Sequence, residues 1–387
     1  MYILMISRGV PSKHHPQWGC FEKDQAEALA SIGHKVIVMS VDARFKRYRG
    51  SLGLHHTFKN GVEYYNYVSL PAKLFTKSVG QDFYLNKILP YLFKKLFRNI
   101  VKTYGKPDIL YTQFYGNTIM GVKLKQFFSI PVVAIEHLSK FNESTFSKQE
   151  DNWAKYAFDN SDARIAVAQT LANNLSSRYK HRFEVVHNMY GPEFGNSRIS
   201  NSWNGTQMLR FISTASLIKR KGFDALIEAF ATADIPSETW SLDIIGWGEE
   251  KENLENLIRR YNLQNNIHLL GKMNKMEIAD QLRKSNVFVL PSRNENFSVA
   301  ILEALAMGLP VIATDCGGIR ECINVKNGVI VPVDDINAMA GAIKDMINDY
   351  NQYDRNYIAE DCKKRFSPES IANQLTQVFE SVLDKAK

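Results

Sequence analysis

The 387 residues are 45% hydrophobic and 23% charged, the balance of a soluble globular protein long enough for two cores. No run of about 18 apolar residues occurs, which excludes a membrane-spanning helix. The net charge is +8, and the four cysteines (Cys20, Cys316, Cys322, Cys362) are scattered without a C-x-x-C, which points to free thiols in a reducing cytoplasm rather than a disulfide framework.

The opening MYILMISRG is too short for a signal-peptide core and has no basic n-region, so it reads as a first buried strand. A helix over 21–32 ends at Gly33, and KVIVMSV follows as a strand. VEYYNYV comes after the turn Asn60–Gly61, and DILYTQ after Pro107. PVVAIEH follows a helix, and RIAVA and FEVVHN complete the first half. Continuous apolar runs separated by helices indicate a parallel sheet covered on both faces. Residues 191–207 are rich in Gly, Asn and Ser without periodicity and read as a linker.

The second half repeats the plan. LRFISTA, SLDIIGWG, IHLLG, NVFVLPS, PVIATD and GVIVPV read as strands. Between them lie helices over 222–233, 251–261, 275–284 and about 298–307, with a short one at 319–323. An amphipathic helix over 336–350 and a helical tail over 368–387 close the chain. The expectation is α/β with two Rossmann-like domains, 1–190 and 208–370, joined by the linker and followed by a helix over 371–387.

Chemistry concentrates at Glu295 and Glu303. They bracket a run that passes from a buried strand through Pro291–Ser292 and a polar loop into a helix. Backbone N–H groups at a helix start lack intrahelical partners and suit an anion. A carboxylate on either side adds acceptors for hydroxyls, and phosphate plus hydroxyls describes a nucleotide sugar. Glu303 sits among Ile301, Leu302, Ala304, Leu305 and Ala306, where an acid is costly without a partner.

PSRNENFSVAILEALAMGLPVIATDCGGIRE resembles the signature of the GT-B retaining glycosyltransferases of family 4, P-S-x-x-E, seven residues, E-A-x-A-x-G-x-P-V-I-A, then G-G and E. Pro291, Ser292, Glu295, Glu303, Ala304, Ala306, Gly308, Pro310, Gly317, Gly318 and Glu321 occupy its positions. ASLIKRKGFDALIEAF is similar to the family's G-R-L-x-x-x-K-G-x-x-x-L-I-x-A-F, with Lys221 and Gly222 in place. Ser216 stands where the family has an Arg that contacts the donor diphosphate, and Lys219 or Arg220 is the candidate replacement. IIGWGEE resembles the family's I-x-G-x-G and reads as a tight turn. In the first half Gly19 alone remains of a Gly-Gly loop, Gly33–His34–Lys35–Val36 matches G-H-x-V, and His137 stands where the family places a His near the donor sugar. Asn188 reads as a hinge or turn residue.

The resemblance implies two doubly wound domains facing across a cleft, with the C-terminal helix crossing back to the first. It implies a donor held by the second domain and an acceptor by the first. Lys221 and the N–H groups of Phe297, Ser298 and Val299 would stabilise the leaving diphosphate. Glu303 would take ribose hydroxyls, and Glu295 would hold donor-sugar hydroxyls or sit beneath the reacting centre. Configuration would be retained, and neither metal nor cofactor is expected. A sugar-nucleotide epimerase or phosphorylase of the same fold, and a non-catalytic binding subunit, are the alternatives.

Residues 41–130 carry 15 Lys/Arg against 4 Asp/Glu, a net of +11. Within them residues 85–105 combine Leu, Ile, Phe and Tyr with five basic residues. The part over 91–102 is amphipathic, and reads either as a helix lying in an anionic membrane interface or as one packed on the sheet with its basic side in water. Nucleic acid is the weaker partner, because no nucleic-acid motif occurs. A cytoplasmic enzyme peripheral to the inner face of the membrane, acting on a glycan or lipid-linked acceptor in bacterial surface-polysaccharide assembly, is the expectation.

Overall fold

The computed structural model describes residues 1–11, 18–42, 52–69, 84–142, 146–195 and 208–385. Most of the expected linker, 196–207, lies outside the described residues.

The chain forms two compact units. The first comprises Met1–Val167, Leu171–Val186 and Ile371–Lys387; the second comprises Ala168–Thr170 and His187–Ser370. In the first, β1 (Tyr2–Ile6), α1 (Cys20–Ser31), β2 (Lys35–Asp42), β3 (Gly53–Lys59), β4 (Val62–Val68), α2 (Leu89–Tyr104), β5 (Ile109–Gln113), α3 (Phe114–Phe128), β6 (Val132–Glu136), α4 (Lys148–Asp159), β7 (Ala163–Ala166), α5 (Gln169–Tyr179) and β8 (Glu184–Val185) follow in order. The sheet order is β3-β4-β2-β1-β5-β6-β7-β8. β1, β5 and β6 are buried along their whole length, which is why they read as unbroken apolar runs.

β3 was not legible as a strand. It pairs antiparallel with β4 through a two-residue turn in which Asn60 (φ 50) and Gly61 (φ 76) both adopt positive φ. That backbone suits a hairpin, and Asn-Gly is its sequence signal. The strand itself, GLHHTFK, is mostly exposed and carries no apolar alternation strong enough to announce it. α2 covers residues 91–102. Its apolar side, Phe93, Leu96, Phe97 and Ile100, is buried in one cluster with Leu4, Leu110 and Leu124, so the helix packs on the sheet with its basic side outward.

The second unit contains β9 (Leu209–Thr214), α6 (Phe223–Thr232), β10 (Trp240–Ile245), α7 (Lys251–Arg260), β11 (Ile267–Gly271), α8 (Lys275–Lys284), β12 (Val287–Leu290), α9 (Val299–Ala306), β13 (Val311–Thr314), β14 (Gly328–Val331), α10 (Ile336–Asp349) and α11 (Arg355–Phe366). Its strands are all parallel, in the order β11-β10-β9-β12-β13-β14. The short helix expected at 319–323 is a single 3-10 turn, Ile319–Glu321. Among the described residues no helix is long and apolar enough to cross a membrane.

The last helix, α12 (Pro368–Lys385), returns to the first unit. Phe379 is fully buried and meets Tyr111 edge to face at 5.0 Å between ring centroids, and Thr376 Oγ1 lies 2.8 Å from His34 Nε2. Phe379→Ala removes that anchor. The expected cost is ~3–5 kcal/mol of first-unit stability, read by urea unfolding; an unchanged midpoint would show that the helix contributes nothing to this core.

Candidate functional site

Neglecting the antiparallel β3 and the terminal β8, both sheets have one plan. Successive strands are laid down outward on one side of the first strand, and the chain then returns to its other side. Ligands of such sheets bind beyond the carboxyl ends of the strands where the order reverses, because the loops there diverge. In the second unit that point lies between β9 and β12. Ser216, Arg220 and Lys221 follow β9; Glu295, Phe297, Ser298, Val299 and Glu303 follow β12. The residues expected from the second half to hold a donor therefore all arise from two neighbouring loops and from α9, which one of them leads into.

The two loops are laced together. Lys221 Nζ pairs with Glu295 Oε1, the two side chains being 15% and 12% exposed, and Ser292 Oγ donates to the same oxygen at 2.8 Å. The Arg293 amide donates to Arg220 O at 2.8 Å. The Arg293 guanidinium reaches Asp224 at 2.9 Å and Asp334 at 2.8 Å. Hydrogen bonding to Asp224 first, then to Asp334, holds that guanidinium in its charged form far above its ordinary range. Gly222 has φ 69, and a Cβ there would lie 2.0 Å from Pro291 O, so only glycine lets the turn after β9 rest on the loop after β12. Gly317 plays the same part on the other side, its Cβ position lying 1.8 Å from Glu295 O.

The basic turn after β9 divides its work in a way the sequence did not reveal. Arg220 Nη1 donates to Asn294 O at 2.6 Å, and Lys219, 69% exposed, pairs with Asp224. The Arg220 side chain ties the two loops together, whereas the Lys219 pair stays within the segment after β9. Ser216 is exposed. Arg293 and Asp224 were missed altogether, since a single Arg in a polar loop carries no signal of its partners.

α9 opens at Val299, with Ser298 as a cap residue that makes no side-chain capping bond. Phe297 and Ser298 are buried, and so is Glu303, one turn into the helix. At the other end the Arg355 guanidinium donates to Met307 O at 3.3 Å and Gly308 O at 3.2 Å, covering carbonyls that the short helix leaves open. Phe297 is fixed from behind: the His187 ring meets it at 4.4 Å between centroids, and Asn188 Nδ2 donates to its carbonyl at 3.1 Å. Asn188 is thus a structural residue. Glu321, the last position of the long motif, accepts from the Gln169 amide and lies 2.9 Å from His187 Nε2. Burial pushes its carboxyl up, but His187 and the Gln169 amide outweigh burial and leave it below the ordinary value.

In the first unit the corresponding reversal lies between β1 and β5. Gly19, with φ 74, starts α1, and its Cβ position lies 2.2 Å from Gly9 O, so only glycine lies this close to Gly9. Arg8 pairs with the buried Glu22 at 2.8 Å. His137 follows β6, and its Nε2 lies 2.9 Å from Gln113 Oε1. Glu136 is fully buried and accepts from the amides of Tyr115, His137 and Leu138 at 2.8–2.9 Å. His34 bonds Thr376 and is structural. Gly246 and Gly248 form a turn pressed on the β9 loop, with Cβ positions 1.8 Å from Ala215 O and 2.1 Å from Leu217 O.

Residues 198–365 match the family described as glycosyl transferases group 1, and residues 23–194 match glycosyltransferase family 4. An uncharacterized glycosyltransferase of Methanocaldococcus jannaschii is 29% identical over 75% of this chain and 80% of its own. A putative colanic acid biosynthesis glycosyltransferase, WcaL of Salmonella typhimurium, is 29% identical over 45% of each chain. Among solved structures, sucrose-phosphate synthase from Thermosynechococcus elongatus aligns over 100% of both chains with a TM-score of 0.79 at 20% identity. Anabaena HepE in complex with UDP aligns over 98% of this chain and 99% of its own, with a TM-score of 0.72 at 17% identity.

Burial raises the Glu136 carboxyl from 4.5 to about 7, against the pull of three amides and Arg8. The folded protein holds this proton more tightly than the unfolded chain does. The resulting stabilisation is fully present below 4.5 and is lost as pH rises through about 7. Denaturant unfolding across that interval is expected to show falling stability in the wild type and a flatter profile in Glu136→Gln; parallel profiles would contradict the assignment.

Proposed function

The chain belongs to the GT-B glycosyltransferases of the group 1 and family 4 type, and we propose that it moves a sugar, with retention of configuration, from a nucleotide-diphosphate donor to a glycan or lipid-linked acceptor. The observation that carries this reading is the meeting of Lys221 and Glu295 at the β9/β12 reversal, ahead of the α9 N-terminus. The leaving group is a nucleoside diphosphate whose charge grows as the sugar takes on oxocarbenium character. A cation and the first amides of a helix are suited to that charge. Lys221 and the amides of Phe297, Ser298 and Val299 take the diphosphate, Glu303 accepts from the ribose hydroxyls, and Glu295 acts on the donor sugar. The reaction proceeds without a metal ion, since the cation and the helix start carry the phosphate charge. The first unit supplies His137 and binds the acceptor.

Neighbouring enzymes support the donor class and the setting. HepE was solved with UDP, and WcaL bears the description of a polysaccharide-building enzyme. The proposed place is bacterial surface-polysaccharide assembly at the cytoplasmic face of the membrane. The outer side of α2 supports a peripheral position. Lys95, Arg98 and Lys102 line a groove of about 520 Å³ together with Leu54 of β3 and Tyr67 of β4, and Leu54 is 43% exposed. Such a surface suits anionic headgroups. Co-sedimentation with anionic vesicles and not with zwitterionic ones is expected; equal recovery with both would remove the membrane from the account.

The test of the reaction is release of nucleoside diphosphate from a panel of nucleotide sugars, with the product identified by mass. Glu303→Ala is expected to weaken donor binding by about 10-fold or more through lost ribose hydrogen bonds. Glu295→Ala is expected mostly to lower turnover. Donor titration combined with steady-state kinetics separates the two, and equal donor affinity in wild type and Glu303→Ala would sink the ribose assignment.

A further inference from the structure

Behind His137 runs a buried chain of polar side chains that the reaction scheme leaves unused. Tyr111 and Gln113 are two residues apart on β5 and so face the same side of the sheet. Both are fully buried, and Gln25 of α1 is 2% exposed. Tyr111 Oη donates to Gln25 Oε1 at 2.9 Å, and Gln113 Nε2 donates to the same oxygen at 2.8 Å. With its amide nitrogen committed to Gln25, Gln113 presents its carbonyl oxygen to His137 Nε2 at 2.9 Å. A carbonyl oxygen only accepts, so the ring nitrogen facing it must carry the proton. Phe114, next in the chain, is forced to φ 67, a costly backbone for a bulky residue. Its ring lies 4.9 Å from that of His137 and 3.8 Å beneath the Arg8 guanidinium.

We propose that Gln113 is the positioning residue of His137, locking the imidazole in its Nε2–H form and fixing its plane, with Tyr111 and Gln25 holding the Gln113 amide in the one orientation that does so. In the neutral ring Nδ1 is then the acceptor nitrogen. Gly19 belongs to the same device, because it starts the helix that carries Gln25. The proposal rests on the reading of His137 as a site residue for transfer.

The direct test is ¹⁵N NMR of the full chain labelled at histidine, at a pH where the ring is neutral, with His137 assigned from the spectrum of His137→Ala. A protonated Nε2 and an unprotonated Nδ1 are expected, and the reverse pattern overturns the proposal. Gln113→Leu is expected to mix the two forms; an unchanged spectrum overturns it. In the transfer assay Gln113→Leu is expected to lower kcat about 10-fold with donor KM changed by less than about twofold. The same substitution in a His137→Ala background should lower kcat no further, and an additive loss would mean that Gln113 acts through the fold alone. If His137→Ala retains full turnover, the functional reading of His137 fails, whereas the tautomer measurement still decides the positioning.

Discussion

The second unit is organised by the gap a parallel sheet leaves where its strand order reverses. The loops after β9 and β12 leave adjacent strands in opposite directions. This protein joins them through ion pairs, Lys221 to Glu295, both largely buried, and Arg293 to Asp224. Two charges in so dry a place are costly unless each is well bonded, and here Ser292 completes the shell of the carboxylate. Neighbouring contacts hold the two loops against each other. Gly222 and Gly317 admit backbone against backbone, Arg293 stitches the loops through Asp224 and Asp334, and Arg220 closes on Asn294.

Such lacing matters for catalysis because stabilising developing charge is effective only where the stabilising groups need not reorganise. Under the proposed function Lys221 changes partner when a diphosphate arrives, while Arg293 and Arg220 stay in place and keep the loops from following it. The division of cations is physical. Arg293 and Arg220 are bonded to groups of neighbouring loops, whereas Lys221 pairs with Glu295, the carboxylate assigned to the donor sugar under the proposed function. Glu303 is buried in the body of α9.

Much of this could be seen in the chain. Strands buried on both faces read as unbroken apolar runs, and β1, β5 and β6 are examples. The loop–helix run around Glu295 announced itself because its residue types fit one chemistry in one local context. Hidden from the sequence were features decided by partners far away in the chain. Arg220 read as a candidate phosphate cation, and its bond to the Asn294 carbonyl 74 positions on could not be seen. Glu321 looked like part of a binding motif, yet it anchors the segments carrying Gln169 and His187. α11 was not read at all, since RNYIAEDCKKRF has little helical periodicity and buries Arg355 and Cys362 alongside Ile358 and Phe366. The relay behind His137 escaped for the same reason, because it needs α1 and β5 to meet.

The central claim is that the β9/β12 reversal is a diphosphate site whose cation is Lys221. Calorimetric titration of the full-length protein with nucleoside diphosphates, wild type beside Lys221→Met, tests it most directly. The account predicts saturable binding of at least one nucleoside diphosphate to the wild type and a loss of about 100-fold or more in the variant, the size of a lost charge-assisted bond to phosphate. Equal affinity in the two proteins, with the fold of the variant intact, would contradict it.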